Sequence, residues 1–237
     1  MSTPKRLARI AGFLYLLVGI FGGFAEGYVE PKMYVAGNAA KTVGNIVANA
    51  GLVRLGVVSD LLDATFFVFT ALVLYVLLKH VHRSVARAML VFVMLAAGIT
   101  CVAAVFEFEG LRIATGAVDL GALGAGGSSA MVLLMVDVQH YSLLAAQIFF
   151  GLWLAPLGYL AYRSGWFPKA LGVVLIAAAA SYIVDLLAAF LAPDIARSIH
   201  GFATILPAIA EPAMVLYLLV IGVWIRKPRA ERVLAAA

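Results

Sequence analysis

Long apolar runs separated by short polar connections dominate the chain. The runs fall at about 7–28, 53–79, 85–107, 141–162, 169–192 and 200–225. Each is long enough to cross a hydrocarbon layer, which needs about 20 apolar residues at about 1.5 Å of rise apiece. Lipid offers no partner to backbone N–H and C=O groups, so a crossing segment must be a helix or part of a closed barrel. No run here alternates with the period of two that barrel strands show. The predicted fold class is all-α, a polytopic membrane bundle of six transmembrane helices forming a single integral membrane domain over residues 1–237.

Composition supports this reading. Hydrophobic residues are 65% of the 237 and charged residues 12%, against roughly a half and a quarter in soluble domains. A water-soluble fold has no means of hiding that much apolar surface. A formal charge of +5 is compatible with a nucleic-acid partner, but the basic residues sit beside apolar runs, where membrane proteins record their orientation. The expected partners are membrane lipids, with no nucleic acid. The stretch Ile10 to Ala25 exceeds a usual signal-peptide core and lacks a small-x-small cleavage site, so it reads as a retained first helix. The single cysteine, Cys101, has no intramolecular disulfide partner.

Basic residues mark one side. Lys5, Arg6 and Arg9 precede the apolar core Ile10 to Ala25; Lys79, Arg83 and Arg87 lie in or at the edges of the second connection; Arg163 and Lys169 lie in or at the edge of the fourth; Arg226, Lys227, Arg229 and Arg232 form the tail. By the positive-inside rule these face the cytoplasm, so both termini are inside and the tail meets anionic lipid. The glycine-rich stretch Ala114 to Met135 is apolar enough to resemble a seventh span, but a span there would put the later basic residues outside. It is expected to be an outer connection. In the first outer connection Asn38, Lys41, Thr42, Asn45 and Asn49 recur every three or four residues, as in a helix with one polar face. That predicts an interfacial helix, broken near Gly51, whose polar stripe faces either headgroups or an outer cavity. Gly19-x-x-x-Gly23 and the small residues Ala177 to Ser181 offer faces for close helix packing, within the chain or between copies in a homo-oligomer. Trp153, Trp166 and Trp224, with Tyr15, Tyr162 and Tyr217, are expected as depth anchors near span ends.

An ionisable side chain inside hydrocarbon costs at least about 2.5 kcal/mol and calls for a partner, water or a purpose. Glu211 ranks first, in mid-span between Pro207 and Pro212, which are expected to kink the helix and free backbone carbonyls. Asp60 and Asp63 lie one turn apart in the second span, and Asp185 lies two turns from the outer end of the fifth. Arg54 and His200, at the heads of spans two and six, are the nearest bases. These six, with Asn45 and Asn49 from the polar stripe, are the candidate ligand-binding residues of an outer-facing polar cavity. No catalytic residue is assigned. His140, His200, Asp137 and Glu107 lack the His-x-x-x-His or His-Glu-x-x-His spacing of zinc sites, so no metal is assigned. The glycine-rich run lacks the Lys-Ser or Lys-Thr of a phosphate loop, and no nucleophile elbow surrounds Ser128 or Ser129, so no cofactor is assigned either.

Several stretches carry a resemblance in their order and spacing. They are Arg9 to Leu16, Lys41 to Asn49, Leu52 to Gly56 with Asp60, Phe149 to Tyr159, Arg163 to Gly172, and Glu211 ahead of Leu216 to Gly222. Together they resemble domain-of-unknown-function family 4386, a group of bacterial multi-helix membrane proteins. The resemblance covers nearly the whole chain, most weakly from Glu109 to Tyr141. It implies a bacterial inner-membrane location and six helices, and no activity. From the residues, the leading expectation is a non-enzymatic bundle that binds or transports a lipid-like or ionic ligand in its outer cavity. The alternatives are a membrane-embedded lipid-modifying enzyme and a membrane scaffold or sensor subunit.

Overall fold

The computed structural model describes residues 3–224, so the basic tail Arg226, Lys227, Arg229 and Arg232 lies outside the described residues. Every regular element among them is helical. Helix α1 (Thr3–Phe24) runs through a π-helical turn (Ala25–Val29) into α2 (Glu30–Met33), and α3 (Ala39–Ala48) leads into α4 (Ala50–Leu78). Then come α5 (Arg83–Ala114), α6 (Gly124–Ser164), α7 (Lys169–Leu191), α8 (Pro193–Ala203) and α9 (Ile205–Val220). Six stretches are long and apolar enough to cross a membrane, α1 with α2 and α8 with α9 each counting as one. The protein is a multi-pass integral membrane protein.

The long helices form a closed ring in which α1, α4, α5, α6, α7 and α9 each pack on the next and α9 returns to α1. Short turns at 79–82 and 165–168 make successive helices antiparallel. Lys5, the two turns and the end of α9 therefore share one end of the bundle, where Tyr217 Oη donates to the Trp166 carbonyl at 3.0 Å and the His80 and Trp166 rings lie 4.3 Å apart. This basic end opposes an acidic end built from α2, α3, α8 and the far ends of α5 and α6.

The main core fills the ring. Trp153 is 1% exposed and meets Tyr15 and Phe67 edge to face at 5.3 and 5.0 Å. Trp153 and Tyr15 were expected as depth anchors near span ends, but both are core residues; the anchor pattern describes lipid-facing rings, and helix rotation turns these two inward. Glycines set the closest approach. A Cβ on Gly158 would lie 2.6 Å from the Gly172 carbonyl oxygen, and one on Gly151 would lie 2.9 Å from that of Ala179. The small-residue face of α7 is thus used against α6 within the chain. Gly19 and Gly23 are not: a Cβ on either meets nothing within 4 Å.

The structure redraws three segments. The expected outer connection Ala114 to Met135 is mostly helix, because α6 begins at Gly124 and runs 41 residues, about 60 Å at the α-helical rise. Glycine disfavours helix in isolation, but Val132 and Val136 are fully buried in a second small core with Met33, Ile46, Val53 and Leu111. That packing outweighs the local preference. The predicted interfacial helix forms as α3, capped by the Asn38 side chain, which accepts from Lys41 N at 3.0 Å. It breaks at Asn49 instead of Gly51, and it lies on α5 and α6, burying Thr42 and Ile46. The last span is two helices meeting at Thr204: amphipathic α8, with no buried residue, and apolar α9. Pro207 falls in the first turn of α9, where its missing N–H costs nothing, so only Pro212 interrupts that helix's bonding.

Candidate functional site

At the acidic end the ring encloses a cavity of about 550 Å³. Glu26 and Glu30 reach it from the π-helical turn and the start of α2, and Asp60 and Asp63 from α4. Residues three or four apart share a helix face, so each pair points the same way. The π-helical turn adds a residue to the winding of the first span, a distortion frequent at functional sites, and carries Glu26 to the cavity wall. Thr100 of α5, His140 and Gln147 of α6, Tyr182 of α7 and His200 of α8 complete the polar lining, with Leu143, Leu144 and Phe150 supplying apolar surface.

Most of these groups are tied down. His140 Nδ1 lies 2.6 Å from Glu30 Oε1, and Tyr34 Oη donates to Asp137 Oδ1 at 2.6 Å, so α2 is clamped to α6 at two points. Lost hydration, then the Asp137 bond, raise the Tyr34 phenol above its ordinary pKa, which keeps it a donor. Buried Asp185 holds His200 Nδ1 at 2.9 Å, and Ser181 Oγ donates to the Ala203 carbonyl at 2.6 Å, fastening α8 to α7. Behind the wall, buried Glu107 and Asp60 face each other within hydrogen-bonding reach. Three buried side-chain oxygens among the described residues have no hydrogen-bond partner, and two of them, Asp63 Oδ1 and Gln147 Oε1, belong to the cavity lining, the third being Gln139 Oε1 outside it.

The charge balance of this space is one-sided. Four carboxyls line it and two more, Glu107 and Asp185, back it, whereas no lysine or arginine is among the residues that line it. Like charges in a low dielectric repel strongly and unpaired buried charge is expensive. The carboxyls therefore need protons, the two histidines as imidazolium, or a cation. Pairing within the cavity can satisfy Glu30 and Asp60; Asp63 has no such arrangement.

A second space adjoins the first. An apolar groove of about 810 Å³ runs between α1 and α9, with Leu16, Ile20, Val215 and Leu216 on its walls and Gly19 and Gly23 on its floor. Glu211 opens onto it but is fully engaged, since Tyr15 Oη donates to Oε2 at 2.5 Å and Tyr182 Oη donates to Oε1 at 2.9 Å. Tyr182 lines both spaces, which therefore meet at this residue.

Of the residues expected from sequence, Asp60, Asp63 and His200 line one cavity and Asp185 supports it from behind. Glu211 belongs to the neighbouring groove, joined to tyrosines instead of to freed carbonyls. Arg54 is exposed and lines neither space. Asn45 and Asn49 sit at the junction of α3 and α4, where Asn49 Nδ2 donates to the Asn45 carbonyl at 2.9 Å, and they line neither space. Sequence reasoning missed Glu26, Glu30, His140 and Gln147. The four-residue spacing of Glu26 and Glu30 was a usable signal, hidden because the first apolar run ends at about residue 28 whereas the helical winding continues to Met33.

No curated protein and no solved structure matches the chain. A protein-family match spans residues 10–222 and so takes in every helix that builds the cavity and the groove: the chain belongs to the family described as domain of unknown function DUF4386.

Proposed function

We propose that this membrane protein binds an organic ammonium cation in the acidic cavity. The observation that carries the reading is the pair of buried, unpartnered acceptors, Asp63 Oδ1 and Gln147 Oε1, on the wall of a space rich in carboxyls and without a lysine or arginine. The carboxyls are spread around a wide cavity, and among the described residues no three His, Cys, Asp or Glu side chains are close enough to hold a metal ion. That spacing favours a bulky cation with diffuse charge over a small ion in a tight cage. The rings of Phe150 and Tyr182 beside the carboxyls add the cation–π attraction that quaternary ammonium sites use.

The test uses purified protein in lipid nanodiscs and tetramethylammonium chloride as the probe, with the melting temperature as readout. A ligand that binds only the folded state raises the melting temperature, with a stabilisation that grows as the logarithm of its concentration above the dissociation constant. Asp63→Asn and Glu26→Gln should weaken the apparent affinity about tenfold or more, the scale of one lost charge-assisted contact. Arg54→Gln should leave it unchanged. A melting temperature insensitive to tetramethylammonium, or stabilised equally in Asp63→Asn, overturns the reading.

A further inference from the structure

The cavity and the groove meet at one corner. Gly22 of α1 lines the cavity while its neighbour Gly23 lines the groove. His200 lines the cavity while Thr204, one turn later, lines the groove and donates from Oγ1 to the His200 carbonyl at 3.0 Å. Tyr182 lines both. The two spaces differ in character: the cavity is acidic with unpartnered acceptors, whereas the polar atoms of Glu211, Tyr15 and Tyr182 beside the groove are spent on one another.

We infer that the ligand is a single-chain amphiphile with a cationic head, the ammonium held in the acidic cavity and the apolar tail laid in the groove between α1 and α9. This rests on the cation reading above and names the class of molecule. From Thr204 to Val215 the groove follows α9 for about 16 Å at the helical rise, the reach of a medium-length alkyl chain. Its open side is flanked by exposed Ile20 and Leu216, so it faces the bilayer, where a concave apolar surface fills with hydrocarbon instead of water. Gly19 and Gly23 have open space where a Cβ would stand. In a helix pair such glycines bring backbones together; here they leave a channel for a chain. The tail enters over Gly22 and Gly23, where the floor has no side chain.

The test is photolabelling in nanodiscs with dodecyltrimethylammonium carrying a diazirine at the end of its chain. Labels mapped by mass spectrometry should fall on groove residues such as Leu16, Ile20, Val215 and Leu216, and excess tetramethylammonium should abolish them. Gly19→Leu on α1 and Ala208→Leu on α9, which each fill the groove, should each remove the groove label while tetramethylammonium still stabilises the protein. That retained response also shows that the variants fold. If tetramethylammonium binds but the tail label scatters over the lipid-facing surface, the amphiphile assignment is overturned and the cation site stands. If the groove is labelled but tetramethylammonium does not compete, the groove is a separate lipid site and the single-ligand assignment is overturned. If tetramethylammonium does not bind at all, the cation reading itself fails.

Discussion

A Cβ placed on Gly22 would stand 3.2 Å from Asp63 Oδ1, the carboxyl oxygen that has no hydrogen-bond partner. The glycine leaves α1 open where α4 turns a carboxyl toward it, and the cavity depends on that opening. Gly22→Ala should keep stability within about 1 kcal/mol of the parent, because the helical preference for alanine offsets a contact tight by only a few tenths of an ångström. Tetramethylammonium binding should nevertheless weaken severalfold as the methyl crowds Asp63. Parallel melting and binding curves check this; a variant that binds as the parent does would detach Asp63 from the site.

Gly158 and Gly172 face each other across α6 and α7, each blocking the other's Cβ with its carbonyl oxygen at 2.6 and 2.7 Å. Backbone cannot yield as a flexible side chain can, so Gly158→Ala and Gly172→Ala should each cost about 1–3 kcal/mol. Gly19→Ala is the control, expected to be neutral or stabilising by up to about 1 kcal/mol, since its Cβ meets nothing within 4 Å. Reversible denaturation in mixed micelles ranks the three.

Glu211 joins α1, α7 and α9 through Tyr15 and Tyr182. Interhelical hydrogen bonds in membranes average about 0.6 kcal/mol and reach about 1.7 kcal/mol. A double-mutant cycle of Tyr15→Phe with Glu211→Gln should show coupling in that range, and Tyr182→Phe with Glu211→Gln likewise. A coupling near zero in both cycles would mean that the clasp does not bind the helices together.

Helix α8 buries no residue of its own and is held to α7 by His200 with Asp185 and by Ser181 with the Ala203 carbonyl. Few buried contacts make a segment open easily. Combining His200→Ala with Ser181→Ala should raise amide exchange across Pro193–Ala203 about tenfold or more while leaving α6 protected. Hydrogen-exchange mass spectrometry reads both.

The basic residues predict the orientation of the bundle in the membrane. In a Cys101→Ser background, a membrane-impermeant maleimide added to intact cells should modify Lys41→Cys, at the acidic end, at once. It should modify Lys79→Cys, at the basic end, only after permeabilisation. The reverse pattern would place the cavity on the cytoplasmic side.

Hydropathy made the six spanning stretches legible because burial in lipid is a per-residue transfer cost, additive along a window and blind to neighbours. The same local arithmetic ranked Asp60, Asp63, Asp185 and Glu211 by depth. It misjudged residues 124–140, where glycine suggested a connection and the burial of Val132 and Val136 beneath α3 makes a helix. It also ended the first span too early, since it had no means to see a π-helical turn carrying Glu26 and Glu30 onward.

By itself, then, the sequence determined the helical class, the number of spanning stretches and the presence of costly charges within them. Which charges share a space was decided only by tertiary structure. Whether Glu211 meets Asp63 or two tyrosines, and whether Trp153 faces lipid or core, depends on how each helix is rotated and which helix stands next to it. Those are set by packing between distant segments, such as Gly158 against Gly172, and by the closure of α9 on α1. Hydrophobicity along the chain tells a helix to enter the membrane, but when nearly every face is apolar it does not tell the helix which face to turn inward.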